Sequence, residues 1–249
     1  MALPKIDVPI YEAILPSNNQ VVKFRPFLVK EQKLLLMSAQ ATETKEIIES
    51  IKQILRNCII TELDIDTLPV FDLEFLFLNL RARSVNEIVD IKYRCNNQIK
   101  GPENEEPKTC NGFVEYKIDV LQIHPEFAEG HTNKIQISDN LGLVLKYPTF
   151  EMMRKIESKT EDEAIYDLLI QCIEYIYDSD NLYYTKDTER QELLEFIDNL
   201  QQKHLEEIKK FFDTMPKVKK DLDFKCLSVE WKIKSLLRVY RIFSNNSFS

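Results

Sequence analysis

Five cysteines and three histidines are the residues of this chain that could bind a metal ion. Two of the cysteines stand at either end of a polar stretch, KYRCNNQIKGPENEEPKTCNG, at residues 92–112. A structural zinc site takes four Cys or His ligands, usually as two close pairs such as C-x2-C. The chain contains no C-x2-C, which favours a hairpin without metal or any other cofactor over a zinc site. The candidate zinc ligands are Cys95, Cys110 and Cys226, with His124 and His131 as the nearest imidazoles.

An acidic stretch further along the chain imitates a calcium-binding loop. Asp178 and Asp180 fall at the first and third positions of an EF-hand pattern, and Glu189 falls at the twelfth. The fifth position is Leu182 and the sixth is Tyr183, where the loop needs an oxygen ligand and a glycine. The stretch therefore predicts an acidic connection between two helices.

Catalytic sequence patterns are absent from the chain. It contains no G-x-S-x-G, H-E-x-x-H or P-loop pattern. His204 stands in the charged segment KHLEEIKKFF, which predicts a solvated histidine on a helix surface. An enzyme would require His124 or His131 to meet carboxylates across a sheet, and no pattern in the sequence indicates that. We predict that the protein is not an enzyme.

Composition excludes two further classes of partner. The net charge of −8 argues against nucleic acid, which needs clustered lysines and arginines. No apolar run reaches the length of a membrane span, and the N-terminus lacks the pattern of a secretory signal. Cys58 and Cys172 fall within helical apolar patterns, which predicts buried free thiols. The odd number of cysteines then indicates a reduced, intracellular protein and argues against a Cys95–Cys110 disulfide.

The hydrophobic periodicity predicts an α+β chain. An N-terminal β-hairpin comes first, two helical segments flank a small central antiparallel sheet, and the C-terminal tail is helical. In EDEAIYDLLIQCIEYIYD we expect one continuous helix. The predicted regions are the hairpin with its helices at 1–85, the central antiparallel β region at 86–147, the helical region at 148–220, and a strand with an aromatic-basic tail at 221–249.

The C-terminal tail combines aromatic and basic residues in an otherwise acidic chain. Residues 222–226, LDFKC, repeat the pattern of residues 91–95, IKYRC, which predicts a second hairpin that lacks its return strand. Tryptophan, tyrosine and arginine are enriched at interface hot spots. The tail therefore docks on a partner or, alternatively, closes the core of its own chain as a helix. The predicted partner-binding residues are Trp231, Arg238, Tyr240 and Arg241.

Several stretches, in this order, resemble the baseplate hub assembly proteins of T4-like tailed phages. They are IDVPIYEAILPSNNQVVKFRPFLVKEQKLLLMS, VDIKYRC with CNGFVEYKIDV, YIYDSDNLYYTKDTERQELLEFIDNL, and FFDTMPKVKKDLDFKC. The resemblance extends over nearly the whole chain as far as Cys226. The tail after that residue differs from the usual continuation of the family, which is another cysteine-containing hairpin.

The resemblance implies a non-enzymatic, chaperone-like assembly factor for the central hub of a contractile-tail baseplate. Such a protein acts in the cytoplasm of the infected host by binding other hub proteins. The N-terminal hairpin, whose edge strands are able to extend another sheet, is a candidate contact element beside the tail. The alternatives are a structural hub subunit that is retained in the virion, and a zinc-binding adaptor or enzyme. The oligomeric state is not predicted.

Overall fold

The structure is a computed structural model that describes residues 6–38, 44–95, 98–99, 108–110, 112–155, 161–225 and 232–238. Over these residues the chain is an α+β protein with an N-terminal β-hairpin, as the sequence predicts. The helices are α1 (Val29–Ser38), α2 (Thr44–Cys58), α3 (Val70–Ser84), α4 (Phe150–Arg154), α5 (Glu161–Cys172), α6 (Arg190–Asp198) and α7 (Gln202–Thr214). Short 3-10 helices occupy Ile65–Thr67, Val120–Gln122 and Thr185–Asp187.

The strands form small antiparallel sheets. They are β1 (Tyr11–Ile14), β2 (Val21–Phe24), β3 (Ile88–Arg94), β4 (Gln98–Ile99), β5 (Lys108–Thr109), β6 (Phe113–Asp119), β7 (Lys134–Gln136), β8 (Gly142–Leu145), β9 (Ile173–Tyr177), β10 (Leu182–Tyr184), β11 (Lys219–Lys225) and β12 (Lys232–Arg238). Among the described residues, β7 to β10 form one four-stranded sheet in the order β10-β9-β8-β7, and the other strands pair as β1–β2, β3–β6, β4–β5 and β11–β12.

The chain divides into two compact units. Unit 1 comprises the described residues of Met1–Leu63, Glu74–Pro125 and Val218–Ser249. Unit 2 comprises those of Asp64–Leu73 and Glu126–Lys217. Each unit therefore combines segments that are distant in the sequence.

In unit 1 the helices bury their apolar stripes and the hairpin buries one face. Helix α2 buries Ile51, Ile54 and Leu55, which recur at helical spacing. The hairpin alternates instead with a period of two, so that Val22 and Phe24 are buried while their neighbours are exposed. The turn between its strands passes through Asn19 at φ 60°, a conformation that asparagine tolerates better than most residues. The predicted hairpin is confirmed.

In unit 2 the four-stranded sheet packs against helices around one apolar core. Strand β8 lies inside the sheet, and all four of its residues are buried. The amphipathic helices α6 and α7 contribute their apolar stripes. The buried core residues are Ile135, Leu143, Leu145, Leu169, Ile170, Ile173, Ile176, Leu193, Ile197, Ile208 and Phe211.

The predicted helix through EDEAIYDLLIQCIEYIYD is wrong from Ile173 onward. The helix ends at Cys172, and Ile173–Tyr177 is strand β9. Ile176 pairs with Leu143 and Tyr175 pairs with Val144, so β9 supplies the neighbour that the buried strand β8 needs on that side. The run IEYIY is rich in β-branched and aromatic residues, but its apolar residues also fit helical spacing, and pairing with β8 selects the strand.

The prediction of a helical C-terminal tail is wrong for Lys232–Arg238, which forms strand β12. This strand pairs with β11 from Lys219↔Arg238 to Lys225↔Lys232. The second hairpin therefore has a return strand, and the prediction that it lacks one is wrong. The alternation of KIKS suits a strand once a partner ladder is present, whereas LLR by itself is equally compatible with a helix. The rest of the tail, at 239–249, lies outside the described residues.

Gly142 generates a prediction about the sheet of unit 2. A Cβ at this position would collide with the Tyr177 hydroxyl and would lie 2.8 Å from the Ile135 carbonyl oxygen. We expect Gly142→Ala to lower the free energy of unfolding by about 1–3 kcal/mol, measured by urea denaturation, because overpacked positions cost that much.

Tyr177→Phe provides the control, since it removes the atom nearest to the added methyl group. We expect it to recover part of the loss in the Gly142→Ala background. It should recover none of the loss caused by Gly130→Ala, where φ is 72° and, apart from the chain neighbours, no described atom lies within 4 Å of the added Cβ. Equal recovery in both backgrounds would contradict the close approach.

Candidate docking surface

The outer face of the N-terminal hairpin carries a group of exposed aliphatic side chains. Ile14 on β1 stands opposite Val21 on β2, and Glu12 stands opposite Lys23. The segment after α2 adds a third row, because the Ile60 N–H donates to the Lys23 carbonyl oxygen at 2.8 Å. We call this surface the hairpin face. Its members are the aliphatic residues Ile10, Ile14, Val21 and Ile60, which are between 46% and 61% exposed, and the ion pair of Glu12 with Lys23 at 3.4 Å.

The hairpin face differs from isolated surface apolar residues in that Ile14 and Val21 stand opposite each other on paired strands. Single exposed leucines or isoleucines are common on soluble proteins. A contiguous apolar patch, in contrast, marks a site of interaction with another molecule. The sequence reading identified the hairpin but not these outward residues, although the period-two pattern contains the signal.

An ion pair with a buried carboxylate fixes the hairpin on the helices of unit 1. The Arg25 guanidinium, at the end of β2, donates to Glu31 Oε1 at 3.1 Å and to the Asn57 carbonyl oxygen at 2.9 Å. Glu31 is fully buried, and its Oε2 accepts the Leu28 N–H at 2.8 Å. Arg25 therefore joins the hairpin to α1 and to the C-terminal end of α2, where a cation is favoured by the helix dipole.

The environment of Glu31 favours the ionised carboxylate. Burial alone would raise the pKa of Glu31. The hydrogen bonds from Arg25 and Leu28, together with the positive charges of Arg25 and Lys30, outweigh it and hold the pKa below its ordinary value. The charged pair is consequently part of the folded state at neutral pH.

A second exposed surface lies at the edge strand β10 in unit 2. All three of its residues, Leu182, Tyr183 and Tyr184, are exposed. The Tyr184 ring packs against Tyr175 with a centroid distance of 5.5 Å, and the Lys186 ammonium lies 5.3 Å from the Tyr184 ring centroid. Tyrosines are enriched in protein interfaces because a large apolar ring carries a polar tip. The sequence analysis missed this surface because it predicted a connection between two helices here, without a strand.

Asp178 uses its carboxylate to build the turn between β9 and β10. Its Oδ1 accepts the N–H groups of Asp180 at 2.9 Å and Asn181 at 2.8 Å, and its Oδ2 accepts the Tyr183 hydroxyl at 2.8 Å. The Asp180 N–H makes the largest contribution to lowering the pKa of Asp178, followed by the Tyr183 hydroxyl. The predicted connection between two helices is therefore wrong, since this stretch is a hairpin turn.

His131 is held in an aromatic cluster of unit 2. The Thr214 hydroxyl donates its single proton to the Lys210 carbonyl oxygen at 2.6 Å, so it accepts from His131 Nδ1–H at 2.8 Å. His131 Nε2 then accepts the Tyr147 hydroxyl at 3.0 Å. The ring stacks on Tyr147 and Phe211, and burial lowers the pKa of His131. Both ring nitrogens are thus engaged in structural contacts, and the neutral ring is favoured.

The predicted metal ligands are only partly within the described residues. Cys95 is buried, and its N–H donates to the Gly112 carbonyl oxygen at 2.8 Å, while Cys110 is half-buried. Cys226 lies outside the described residues. In the part of the chain that the structure describes, no group of three or more Cys, His, Asp or Glu residues is placed to hold a metal. The zinc site stays a prediction.

The other cysteines and His204 are structural. Cys58 and Cys172 are buried free thiols, as predicted, and burial raises their pKa values to about 11 and about 12. His204 is buried, not solvated, and its Nδ1 accepts the Gln201 N–H at 3.3 Å at the start of α7. The prediction for His204 is therefore wrong. Its helix surface packs into the core because Ile208 and Phe211 follow at helical spacing.

The predicted partner-binding residues of the tail are at the boundary of the described residues. Arg238 is the last residue of β12. Trp231, Tyr240 and Arg241 lie outside the described residues. Their role in binding stays a prediction.

Comparison with protein families identifies the chain. The family described as T4 bacteriophage base plate protein matches residues 8–240. The chain belongs to this family. A role at the phage baseplate, in contact with other baseplate proteins, follows from this membership, and a structural or assembly role suits such a protein better than catalysis. Comparison with curated proteins and with solved structures finds no match. None of the helices in the described ranges is long and apolar enough to cross a membrane.

The Glu31 contacts generate a prediction about pH-dependent stability. Glu31→Gln removes the charge, and we expect a loss of about 1–3 kcal/mol in the free energy of unfolding at pH 7. The carboxyl group has a lower pKa folded than unfolded, so its contribution is present above the unfolded pKa of about 4.3 and is lost as the pH falls through the folded value. Urea denaturation from pH 7 to pH 3 should show the two stabilities converging at low pH.

Exposed Glu62 offers a matched control for this experiment. Glu62→Gln should change the stability by no more than about 0.5 kcal/mol, as surface substitutions do. A Glu31→Gln deficit that is constant over the whole pH range would contradict a role for the charge.

His131 generates a second prediction about pH. Its pKa is below the ordinary value in the folded state, so the unfolded chain binds more protons below about pH 6.5. The contribution of His131 is therefore present above that pH and is lost as the pH falls. We expect the wild-type protein to lose stability more steeply than His131→Phe between pH 7.5 and pH 5 in urea denaturation. Parallel curves would contradict this role of His131.

Proposed function

We propose that this protein is a non-enzymatic assembly factor for the central hub of a contractile-tail phage baseplate. It acts by binding other hub proteins and holding their surfaces during assembly. Family membership over residues 8–240 supports the baseplate role. The single structural observation that carries the binding role is the hairpin face, whose four aliphatic residues are exposed and include the cross-strand pair Ile14 and Val21.

The geometry of unit 1 suits a protein that holds a partner. The hairpin is anchored through Arg25 and Glu31, and the Phe27 N–H adds a bond to Ser84 Oγ on α3 at 2.9 Å. A rigidly held surface loses little conformational entropy when it binds, which favours affinity. The ion pair of Glu12 and Lys23 is solvent-exposed and contributes little energy. The apolar residues around it are therefore the main source of binding energy.

The chemistry-bearing side chains of the described residues support binding over catalysis. His131 makes hydrogen bonds through both ring nitrogens, and Asp178 directs both carboxylate oxygens into its own turn. The buried thiols of Cys58 and Cys172 resist ionisation, and a thiol reacts as its thiolate. These groups have structural partners or environments instead of facing a shared reaction site.

The proposed place of action is the cytoplasm of the infected host, before the tail is complete. A transient factor binds hub proteins and then leaves, whereas a structural subunit remains in the particle. The tail residues Trp231, Arg238, Tyr240 and Arg241 are proposed as additional partner contacts. Deleting the chain after Cys226 would also remove β12, which pairs with β11, so single substitutions test the tail more cleanly than truncation.

Co-expression with the hub proteins of the same phage tests the proposal. We expect the tagged protein to co-purify with at least one hub protein or to increase its soluble yield. Replacing Ile14 and Val21 by threonine should reduce recovery of the complex roughly tenfold, because both side chains lose apolar contact. Threonine keeps the β-branched shape that favours a strand, so the circular dichroism spectrum should be unchanged.

Mass spectrometry of purified tails distinguishes an assembly factor from a retained subunit. An assembly factor should be absent from finished particles, and a stoichiometric peptide signal would identify a structural subunit instead. A protein that remains monomeric and inert with every hub protein would overturn the proposed function.

A further inference from the structure

Strand β1 has one edge whose backbone groups point away from its own sheet. The Leu15 N–H donates to the Gln20 carbonyl oxygen at 2.9 Å, which makes these residues a hydrogen-bonded pair. In an antiparallel ladder such pairs alternate with pairs that do not bond to each other. By this alternation Ala13 bonds towards β2, whereas Glu12 and Ile14 direct their N–H and C=O groups to the opposite side. No described residue bonds to those outward groups.

The other edge of the same sheet is covered at Lys23. The Lys23 N–H donates to Thr61 Oγ1 at 2.8 Å, and the Lys23 carbonyl oxygen accepts the Ile60 N–H at 2.8 Å. Strand β2 therefore has a neighbour on both sides. The local fold therefore pairs the backbone groups of Lys23 at the β2 edge and leaves those of Glu12 and Ile14 at the β1 edge for another partner.

Prolines limit the open edge to a short length. Pro9 and Pro16 flank the strand. Pro16 falls in the same alternation as Glu12 and Ile14, and it has no N–H to offer. A partner therefore pairs with about four residues, which is the length of a short edge strand in globular proteins.

The charges on the hairpin face select the chemistry of the partner. Lys23 lies 3.4 Å from Glu12 on the β2 side. A strand added beside β1 would place a residue on the other side of Glu12, where a lysine or arginine is attracted and an acidic residue is repelled. The residues of the added strand two positions before and after this one would lie beside Ile10 and Ile14. Aliphatic side chains at these two positions would bury apolar surface. Strand β2 shows the same order, with Val21 opposite Ile14 and Lys23 opposite Glu12.

We propose that the open edge of β1 binds an extended strand of a partner baseplate protein, with a basic residue opposite Glu12 and aliphatic residues opposite Ile10 and Ile14. The inference rests on the proposed function and adds to it the chemistry of the partner segment. A second copy of this chain is a weaker match, because symmetric pairing about Glu12 sets two carboxylates opposite each other. Backbone hydrogen bonds provide affinity in this mode of recognition, and alternate side chains provide specificity.

A synthetic strand tests the edge without a hub protein. The probe is the acetylated and amidated peptide Thr-Val-Thr-Lys-Thr-Val-Thr, whose pattern reads the same in parallel and antiparallel orientation. We expect the amide NMR signals of Glu12 and Ile14 in the full-length protein to shift on titration with it. The same peptide with glutamate in place of lysine should bind several-fold more weakly. No shift at either amide with millimolar peptide would overturn the proposal.

Two substitutions at Ile14 separate the backbone contribution from the side chain. Ile14→Ala and Ile14→Pro both remove the aliphatic side chain, and only proline also removes the outward N–H. We expect Ile14→Pro to bind the peptide roughly tenfold more weakly than Ile14→Ala, the equivalent of one hydrogen bond. The fold should persist because this N–H does not bond to β2, and the urea midpoint verifies that. Equal affinities of the two variants would overturn strand addition.

Exchanging the charges of Glu12 and Lys23 tests the electrostatic contribution to peptide binding. The double variant Glu12→Lys with Lys23→Glu keeps the cross-strand pair but presents a cation at the open edge. It should prefer the glutamate peptide to the lysine peptide, which reverses the wild-type order. An unchanged preference would overturn the assignment of a basic residue opposite Glu12.

The hub proteins distinguish this inference from the proposed function. A wild-type complex that Ile14→Pro and the charge exchange leave intact would overturn the edge site and keep the proposed function. Peptide binding without any hub complex would overturn the proposed function and keep the edge site. Sedimentation that shows a wild-type dimer, lost in Ile14→Pro, would identify a second copy as the occupant and overturn the assignment to a partner protein.

Discussion

The position of the N-terminal hairpin depends on one ion pair, between the partly exposed Arg25 and the fully buried Glu31. A two-stranded hairpin is marginally stable in water unless it packs against something else. Arg25 bonds at once to Glu31 and to the Asn57 carbonyl oxygen, so the root of the hairpin is tied to two helices. Removing Arg25 would leave the buried Glu31 carboxylate with only the exposed Lys30 ammonium, at 3.4 Å, and weakening the pairing of a buried charge is costly. The outward aliphatic residues can therefore be displayed without loosening the hairpin.

Backbone pairing also organises unit 2, where a fully buried strand needs a neighbouring strand on each side. Strand β8 is buried at every position and pairs with β7 and β9. Gly142 lets the Tyr177 side chain approach the sheet, and the Tyr177 hydroxyl donates to Gln136 Oε1 at 3.0 Å. The outermost strand β10 then presents tyrosines to solvent. Each unit thus exposes aliphatic or tyrosine side chains on the strands of a small sheet, and the same sheet also contributes residues to the core.

Three side chains that suggest catalysis or metal binding in the sequence make structural contacts in the folded chain. His131 connects α7 to Tyr147, Asp178 closes a turn, and His204 receives the Gln201 N–H at the start of α7. Membership in the T4 base plate protein family agrees with this distribution of roles. A baseplate protein needs surfaces that recognise other proteins, and the free energy for that comes from apolar area and backbone pairing. The hairpin offers both.

Local sequence by itself determined the α+β class, the N-terminal hairpin, the central strands and the amphipathic helices, because each has a distinct hydrophobic period. It also indicated the buried thiols Cys58 and Cys172 and the baseplate family. Only the tertiary structure decided that Ile173–Tyr177 is a strand and that Lys232–Arg238 returns along β11, since both segments fit either period until a partner ladder is present. The open edge of β1 was decided in the same way. Which strand keeps unpaired backbone groups depends on what the rest of the chain covers, and no local pattern records that.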